Sequence, residues 1–460
     1  MSDRRGFFSQ MFSAGAGLLA GRAALGAQEH QHPAPAAATG ASGPAVLVET
    51  PDLPKLPYQL VDGFKEFHLM AEPVKTEFLP GKVVDAWGFN GSSPGPTIEV
   101  NEGDRVRVLF HNHLPEMTTV HWHGLEVPIN MDGVPGISQD PVLPGGMFTY
   151  EFTVNQNGTF FYHSHFAMQE MLGMIGLFII HPKTPHTPKA DRDFGVILQE
   201  WAVLPNNTVP NTLSMEFNWL TLNGKAGPAA TPMLVKHGER VRIRMVNLGM
   251  DHHPMHIHGN QFVVTGTEGG RIPQPAWYPG NTVLVGVAQA RDIEFDAKYV
   301  GDWMLHCHLP HHMMNQMVSM VGPMSHGGAG AHTGLGMREG MGIVRQANAL
   351  EESLGPGLGR GLGVAADRER PATPAVGPAG PAGPAPQQAP PQAGHEGHDM
   401  SKMSSANAQD VPGYPQDMWM PMDQLVAGKP EVDGLPKDWT GAMMGMMTLV
   451  RVLPPDRFDE

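Results

Sequence analysis

The sequence predicts an all-β protein made of two tandem β-sandwich or β-barrel domains, and three observations carry that expectation. Short strand-like runs such as "DRVRVLFHNHL", "MFTYEFTV", "TFFYHSH", "MIGLFII", "RVRIRMVNL" and "DWMLHCH" alternate with Gly, Pro, Asn and Asp clusters between residues 51 and 323. Convincing amphipathic helices are absent from that stretch. The chain also matches itself. "EGDRVRV" at 102–108 aligns with "HGERVRI" at 237–243, and "VHWHG" at 120–124 with "MHIHG" at 255–259, both at an offset of 135. "GTFFYHSH" at 158–165 aligns with "GDWMLHCH" at 301–308 at an offset of 143. Three matches in the same order imply two copies of one β domain, over 51–185 and 186–323.

The flanking segments read differently. Arg4 and Arg5 precede Phe7 and Phe8, a weakly apolar stretch interrupted by Arg22 follows, and small residues surround Ala27. Residues 1–27 therefore resemble a twin-arginine export signal, which implies a periplasmic or extracellular protein. Residues 28–50, rich in Ala, Pro, Gly and His, are expected to be a linker. Residues 324–410 are low in complexity and expected to be a disordered linker. A Met-rich segment, 411–460, closes the chain, and its "MMTLVRVLPP" is a candidate strand docking on the body.

Charge and hydropathy narrow the partners. The 460 residues carry 30 Lys and Arg against 45 Asp and Glu, a net charge of −15, with no basic block in the body. This argues against nucleic acid or an anionic membrane surface as partner. No uninterrupted apolar run after the N-terminus approaches the roughly 18 residues of a membrane helix.

Chemistry concentrates in the repeated elements. Side chains at i and i+2 of a strand share a face, so each His-Xaa-His places two imidazoles side by side. Four such pairs occur, His121/His123, His163/His165, His256/His258 and His306/His308, at repeat-related positions. Eight imidazoles exceed one ordinary mononuclear site. Cys307, the only cysteine, cannot close an internal disulfide, and alternation turns it away from His306 and His308. It is expected to serve a different metal centre one covalent step from theirs. A thiolate, two imidazoles and a weak axial thioether form a blue copper ligand set, and His253, His312 and Met317 lie within reach in sequence. The first repeat has Thr118, Ser164 and Gln169 at the positions of His253, Cys307 and His312, while Met174 matches Met317. The blue site is therefore expected once, in the second domain.

"HWHG", "YHSH", "HPMHIHG" and "HCHLPHHMMNQM" resemble, in order, the four copper motifs of the multicopper oxidases, across about residues 51–323. The resemblance implies tandem cupredoxin-like Greek-key domains and four coppers per chain. It gives the type 1 copper His253, Cys307, His312 and Met317; the type 2 copper His121 and His256; and the type 3 pair His123, His163, His165, His258, His306 and His308. Only 88 positions separate His165 from His253, too few for a further domain. The chain is thus similar to the two-domain, small-laccase branch, which implies a homotrimer with trinuclear clusters between subunits.

The implied reaction is one-electron oxidation of a phenol or similar donor at the type 1 copper. Electrons pass through Cys307 to His306 and His308, and O2 is reduced to water at the cluster. Asp132, in "VPINMDGVPG", resembles the family's proton-delivering acid. His311 stands where many relatives place a glutamate. An axial thioether implies a modest potential. A Cu(I) or Mn(II) oxidase is the alternative, with the terminal methionines as a cuprous site or cap. A copper nitrite reductase is less favoured, because it has no type 3 pair and carries its blue copper in the first domain. A copper-sequestering protein without turnover would not require the four-copper ligand set.

Overall fold

The computed structural model describes residues 46–203, 207–313 and 422–459. The export signal, most of both linkers and Met317 lie outside the described residues. Apart from single helical turns, the described residues are strand and loop, as expected. The first repeat forms β1 (Tyr58–Val61), β2 (Phe64–Leu79), β3 (Lys82–Phe89), β4 (Ile98–Asn101), β5 (Arg105–Asn112), β6 (Val120–His123), β7 (Met147–Thr153), β8 (Gly158–Ser164) and β9 (Ile175–His181). The second forms β10 (Arg192–Trp201), β11 (Trp219–Leu222), β12 (Met233–Lys236), β13 (Arg240–Asn247), β14 (His253–Ile257), β15 (Phe262–Thr267), β16 (Gly270–Arg271), β17 (Tyr278–Gly280), β18 (Thr282–Val285), β19 (Gln289–Asp296) and β20 (Gly301–Cys307). The last strand, β21 (Met447–Leu453), comes from the Met-rich segment.

These strands make two sandwiches. In the first, the sheet β1-β2-β5-β7, with β3 on β2, faces the sheet β4-β9-β8-β6. In the second, β11-β10-β13-β19-β15-β16, with β17 on β15, faces β12-β21-β20-β14-β18. Alternation decides which residues fill them: β5 buries Val106, Val108 and Phe110 while Arg105, Arg107 and Leu109 point outward. Such an in/out pattern is what a half-buried antiparallel sheet requires. One core holds Phe67, Val108, Trp122, Tyr150 and Phe178; the other holds Ile243, Met255, Val264, Ile293 and Val450. A third cluster joins the sandwiches, with Phe161, Ile175 and Leu177 against Ile197, Val246 and Ala290.

The topology repeats as the sequence does, with one consequence for the chain's end. β2 runs parallel to β5 as β10 does to β13, and β4 runs parallel to β9 as β12 does to β21. β9 pairs antiparallel with β8, and β21 pairs antiparallel with β20. The expected strand is therefore present, and it fills in the second sandwich the place that β9 fills in the first. Among the described residues no helix is long and apolar enough to cross a membrane.

Candidate metal centre

Three side chains converge in the core of the second sandwich. His253 opens β14, Cys307 ends β20, and the helical turn Pro310–Met313 brings His312 back over both. All three are buried. Cys307 Sγ lies 3.4 Å from His312 Nδ1 and 3.8 Å from His253 Nδ1, and the two Nδ1 atoms are 3.1 Å apart. Donors at such separations suit one shared ion at bond lengths of about 2.0–2.3 Å.

The surroundings preset these donors. Glu200, buried at the end of β10, puts Oε2 3.1 Å from His253 Nε2 and accepts the backbone N–H groups of Met250 and, at 2.8 Å, Asp251. With the proton on Nε2, His253 donates to the carboxylate and leaves its Nδ1 lone pair facing the thiol. Asn247 Nδ2 donates to the carbonyls of Asp251 and Val285, at 2.8 and 3.1 Å, which fixes the loop leading to His253. Gly249 is required in that loop, because a Cβ there would meet the Glu200 carboxylate at 1.9 Å. Asp251 Oδ2 lies 3.5 Å from His312 Nε2. Burial pushes the Cys307 thiol up to about 12 and, with His253 beside it, holds His312 down to about 4. The imidazole is thus neutral at neutral pH, and the thiol gives up its proton only to a bound cation.

The eight paired histidines form two further groups. On the first sandwich, β6 and β8 place His121 opposite His163, and the His121 ring lies 5.7, 5.3 and 5.2 Å from those of His123, His163 and His165. On the second, β14 and β20 place His256 opposite His306, and the His256 ring lies 4.9, 5.6 and 5.5 Å from those of His258, His306 and His308. Both His-Xaa-His-Gly strands end on a glycine at positive φ, +83° at Gly124 and +66° at Gly259, a turn that L side chains rarely adopt.

Backbone carbonyls orient the rings in matching ways. The Nδ1 atoms of His121 and His256 lie 2.7 Å from the carbonyls of Asp132 and Asn281. Those of His163 and His306 lie 2.8 and 2.9 Å from the carbonyls of Ser164 and Cys307. These contacts turn Nε2 toward the neighbouring imidazoles. Burial first, then adjacent imidazoles, lowers His123 to about 4 and also lowers His258; the same causes outweigh hydrogen bonds that raise His121 and His306. Neutral rings with free lone pairs are what a cation needs. Asp132 Oδ1 is 3.4 Å from His121 Nδ1, and Glu170 Oε1 is 3.1 Å from His163 Nδ1. Among the described residues no ring contact joins the first group to the second, and His165, His258 and His308 are exposed.

Residues 71–185 and 203–323 each match a family model described as multicopper oxidase. The chain belongs to the multicopper oxidase family. It is similar to a copper resistance protein A homolog of Pseudomonas syringae pv. tomato, 44% identical over 124 residues, or 27% of this chain and 21% of that protein. It is also similar to laccase-2 of Botryotinia fuckeliana, 32% identical over 244 residues, or 48% of this chain and 41% of that one. The chain thus spans less than half the length of these curated relatives. Among solved structures, the multicopper oxidase mgLAC is 32% identical with a TM-score of 0.52, over 55% of this chain and 81% of that one. Copper is the metal that membership of this family implies, and the thiol and imidazole donors fit it.

Sequence reasoning missed several residues around these multicopper oxidase motifs. Glu200 carries no local signature, and Asn281 lies 25 positions from the histidine it orients. The most consequential is Met446. Cys307 N–H donates to the Met446 carbonyl at 3.0 Å, and Met446 N–H donates to the His312 carbonyl at 2.9 Å. In the first sandwich Ser164 N–H donates to Met174 at 3.1 Å, and Met174 N–H to Gln169 at 3.3 Å. Each methionine follows a glycine at positive φ, Gly173 and Gly445. A signal existed: "MIGLFIIHP" at 174–182 and "MMTLVRVLP" at 446–454 share Met, Leu and Pro at the same steps.

Proposed function

We propose that this protein is a two-domain copper oxidase that draws single electrons from a reducing substrate at His253, Cys307 and His312 and passes them to O2 at the paired histidines. The observation that carries this reading is β20. Its consecutive residues His306 and Cys307 point to opposite faces, so one peptide unit links the buried triad to a histidine group. Copper bound at these donors supplies one-electron acceptance and, at four ions per chain, the four electrons that convert O2 to water.

The protein's own groups do the rest. Glu200 and Asn247 hold His253 in place. The carbonyls of Asp132, Asn281, Ser164 and Cys307 fix which ring nitrogens face inward. Asp132, next to His121, is the group assigned to deliver protons on the oxygen side. Type 2 ligation falls to His121 and His256, and type 3 ligation to His123, His163, His165, His258, His306 and His308. Met446, buried in the same core cluster as Cys307 and equivalent to Met174, would offer this copper a thioether as an alternative to Met317, which lies outside the described residues. Exposed half-sites on separate sandwiches support completion of each cluster between copies, as a homotrimer of exported subunits.

A phenolic donor is the primary reading. A metal-ion donor is the second, favoured by carboxylates at both type 1 histidines and by Met250, 45% exposed beside Asp251. Cys307→Ser tests the oxidase reading: the blue absorption and turnover of any reductant should vanish while most of the remaining copper stays bound. Full oxygen uptake by that variant would refute the electron route. Oxygen uptake with a methoxyphenol, Cu(I) and Mn(II) at matched concentrations, repeated in Asp251→Asn, separates the donors. A selective loss for the ions identifies a metal oxidase.

A further inference from the structure

On the outer face of the first sandwich, away from the strands that carry the paired histidines, five soft or borderline donors gather around His111. The pairing registers place Met70 of β2, His111 of β5 and Met147 of β7 in one cross-strand row. All three point outward, because Leu69, Phe110 and Tyr150, on the opposite parity, fill the core. Cross-strand neighbours on one face stand with Cβ atoms about 5 Å apart, so His111 has a methionine on each side. Two further imidazoles flank it along the strands: the ring of His68 stacks 6.3 Å from that of His111, and the ring of His113 lies 6.2 Å from it.

The platform is rigid where the donors are rooted. Asn90 Oδ1 accepts Met70 N–H at 3.0 Å, Asn90 Nδ2 donates to His68 O at 3.0 Å, and His113 N–H donates to Ala71 O at 2.8 Å. The cation beside it is neutralised. Arg107, in the row beyond Leu109, bonds Glu66 at 3.0 Å and Glu151 at 2.5 Å. Met70 and His111 are half-buried and form a floor; His68, His113 and Met147 are exposed and free to swing inward.

We propose that Met70, His111 and Met147, with His68 and His113, form a surface binding site for Cu(I), separate from the redox centre. Two thioethers with imidazoles select a soft monovalent ion, whereas Zn(II) and Ca(II) prefer donor sets without thioethers. Glu72, two residues along β2 on the same face, accepts the Gly91 N–H at 2.8 Å. The site would hold copper on the face of the first sandwich without electron transfer.

The probe is Ag(I), a redox-silent stand-in for Cu(I), added to the copper-loaded full chain labelled at methionine methyl carbons. The two relevant methyl signals are assigned by their loss in Met70→Leu and Met147→Leu. Both should shift within the first three equivalents of Ag(I). In His111→Ala both shifts should be lost while oxygen uptake stays at the wild-type rate. Methyl signals of Met70 and Met147 that do not move, or that move equally in His111→Ala, would overturn the proposal. The methyl shifts do not depend on whether the oxidase reading stands.

Discussion

Met446 holds the carbonyl of His312 through its backbone N–H at 2.9 Å, although the two residues are 134 positions apart. The Met-rich end of the chain is thus built into the core that holds Cys307 and not appended to it.

Met446→Leu should leave the thiolate and both imidazoles in place, so the blue colour persists. Loss of the axial thioether should raise the type 1 potential by on the order of 60 mV, a factor of ten for a one-electron couple. Redox titration checks this, and an unchanged potential would return the axial role to Met317. Truncation before residue 422 removes β21 from between β12 and β20 and should abolish blue copper altogether.

The first sandwich keeps the frame of a blue site without its ligands. Thr118 Oγ1 lies 3.1 Å from Ser164 Oγ, and Ser164 Oγ donates to Gln169 Oε1 at 2.8 Å, with Met174 already present. The triple change Thr118→His, Ser164→Cys and Gln169→His should add one blue copper per chain. Metal analysis together with visible absorption would show it, and an unchanged copper content would mean the frames differ.

The proposed completion of clusters between subunits makes a genetic prediction. His123→Ala and His258→Ala should each impair oxygen reduction when expressed alone. Co-expressed, they should form mixed rings in which a neighbouring pair of intact halves restores a substantial fraction of activity. Clusters formed within one chain would give no recovery, because every chain would carry a damaged site.

Acid sensitivity should have a defined source at Glu99. Burial alone would raise its pKa, but bonds to His181 at 2.6 Å, Lys55 at 2.6 Å and the Val48 N–H at 2.9 Å outweigh burial and lower it from 4.5 to about 2. A depressed folded value means the stabilisation is complete above about pH 4.5 and is lost as pH falls toward 2, on the order of 2 kcal/mol. Glu99→Gln should lower Tm at neutral pH and flatten its decline across that window.

Much of the site was legible because a strand's period of two is a local property. His121 and His123, or His306 and His308, share a face whatever the rest of the chain does, and Cys307 must face the other way. The internal repeat exposed both sandwiches and the loss of the blue site from the first, through Thr118, Ser164 and Gln169. Glu200 and Asn281 were invisible because their roles depend on packing across strands, and a lone Glu or Asn in sequence has no partner to identify it. The match of Met446 to Met174 was present in the letters but lay beyond a low-complexity segment, whereas Met317 stands five residues after His312.

By itself, then, the sequence determined the all-β class, the doubling of the domain and the placing of the paired histidines on one strand face with Cys307 on the other, because alternation and repetition act over a few residues. Only the tertiary structure decided that β21 stands between β12 and β20, that Glu200 faces His253 and that the Asn281 carbonyl orients His256. Each of those depends on hydrogen bonds and burial between segments far apart in the chain, which local pattern does not encode.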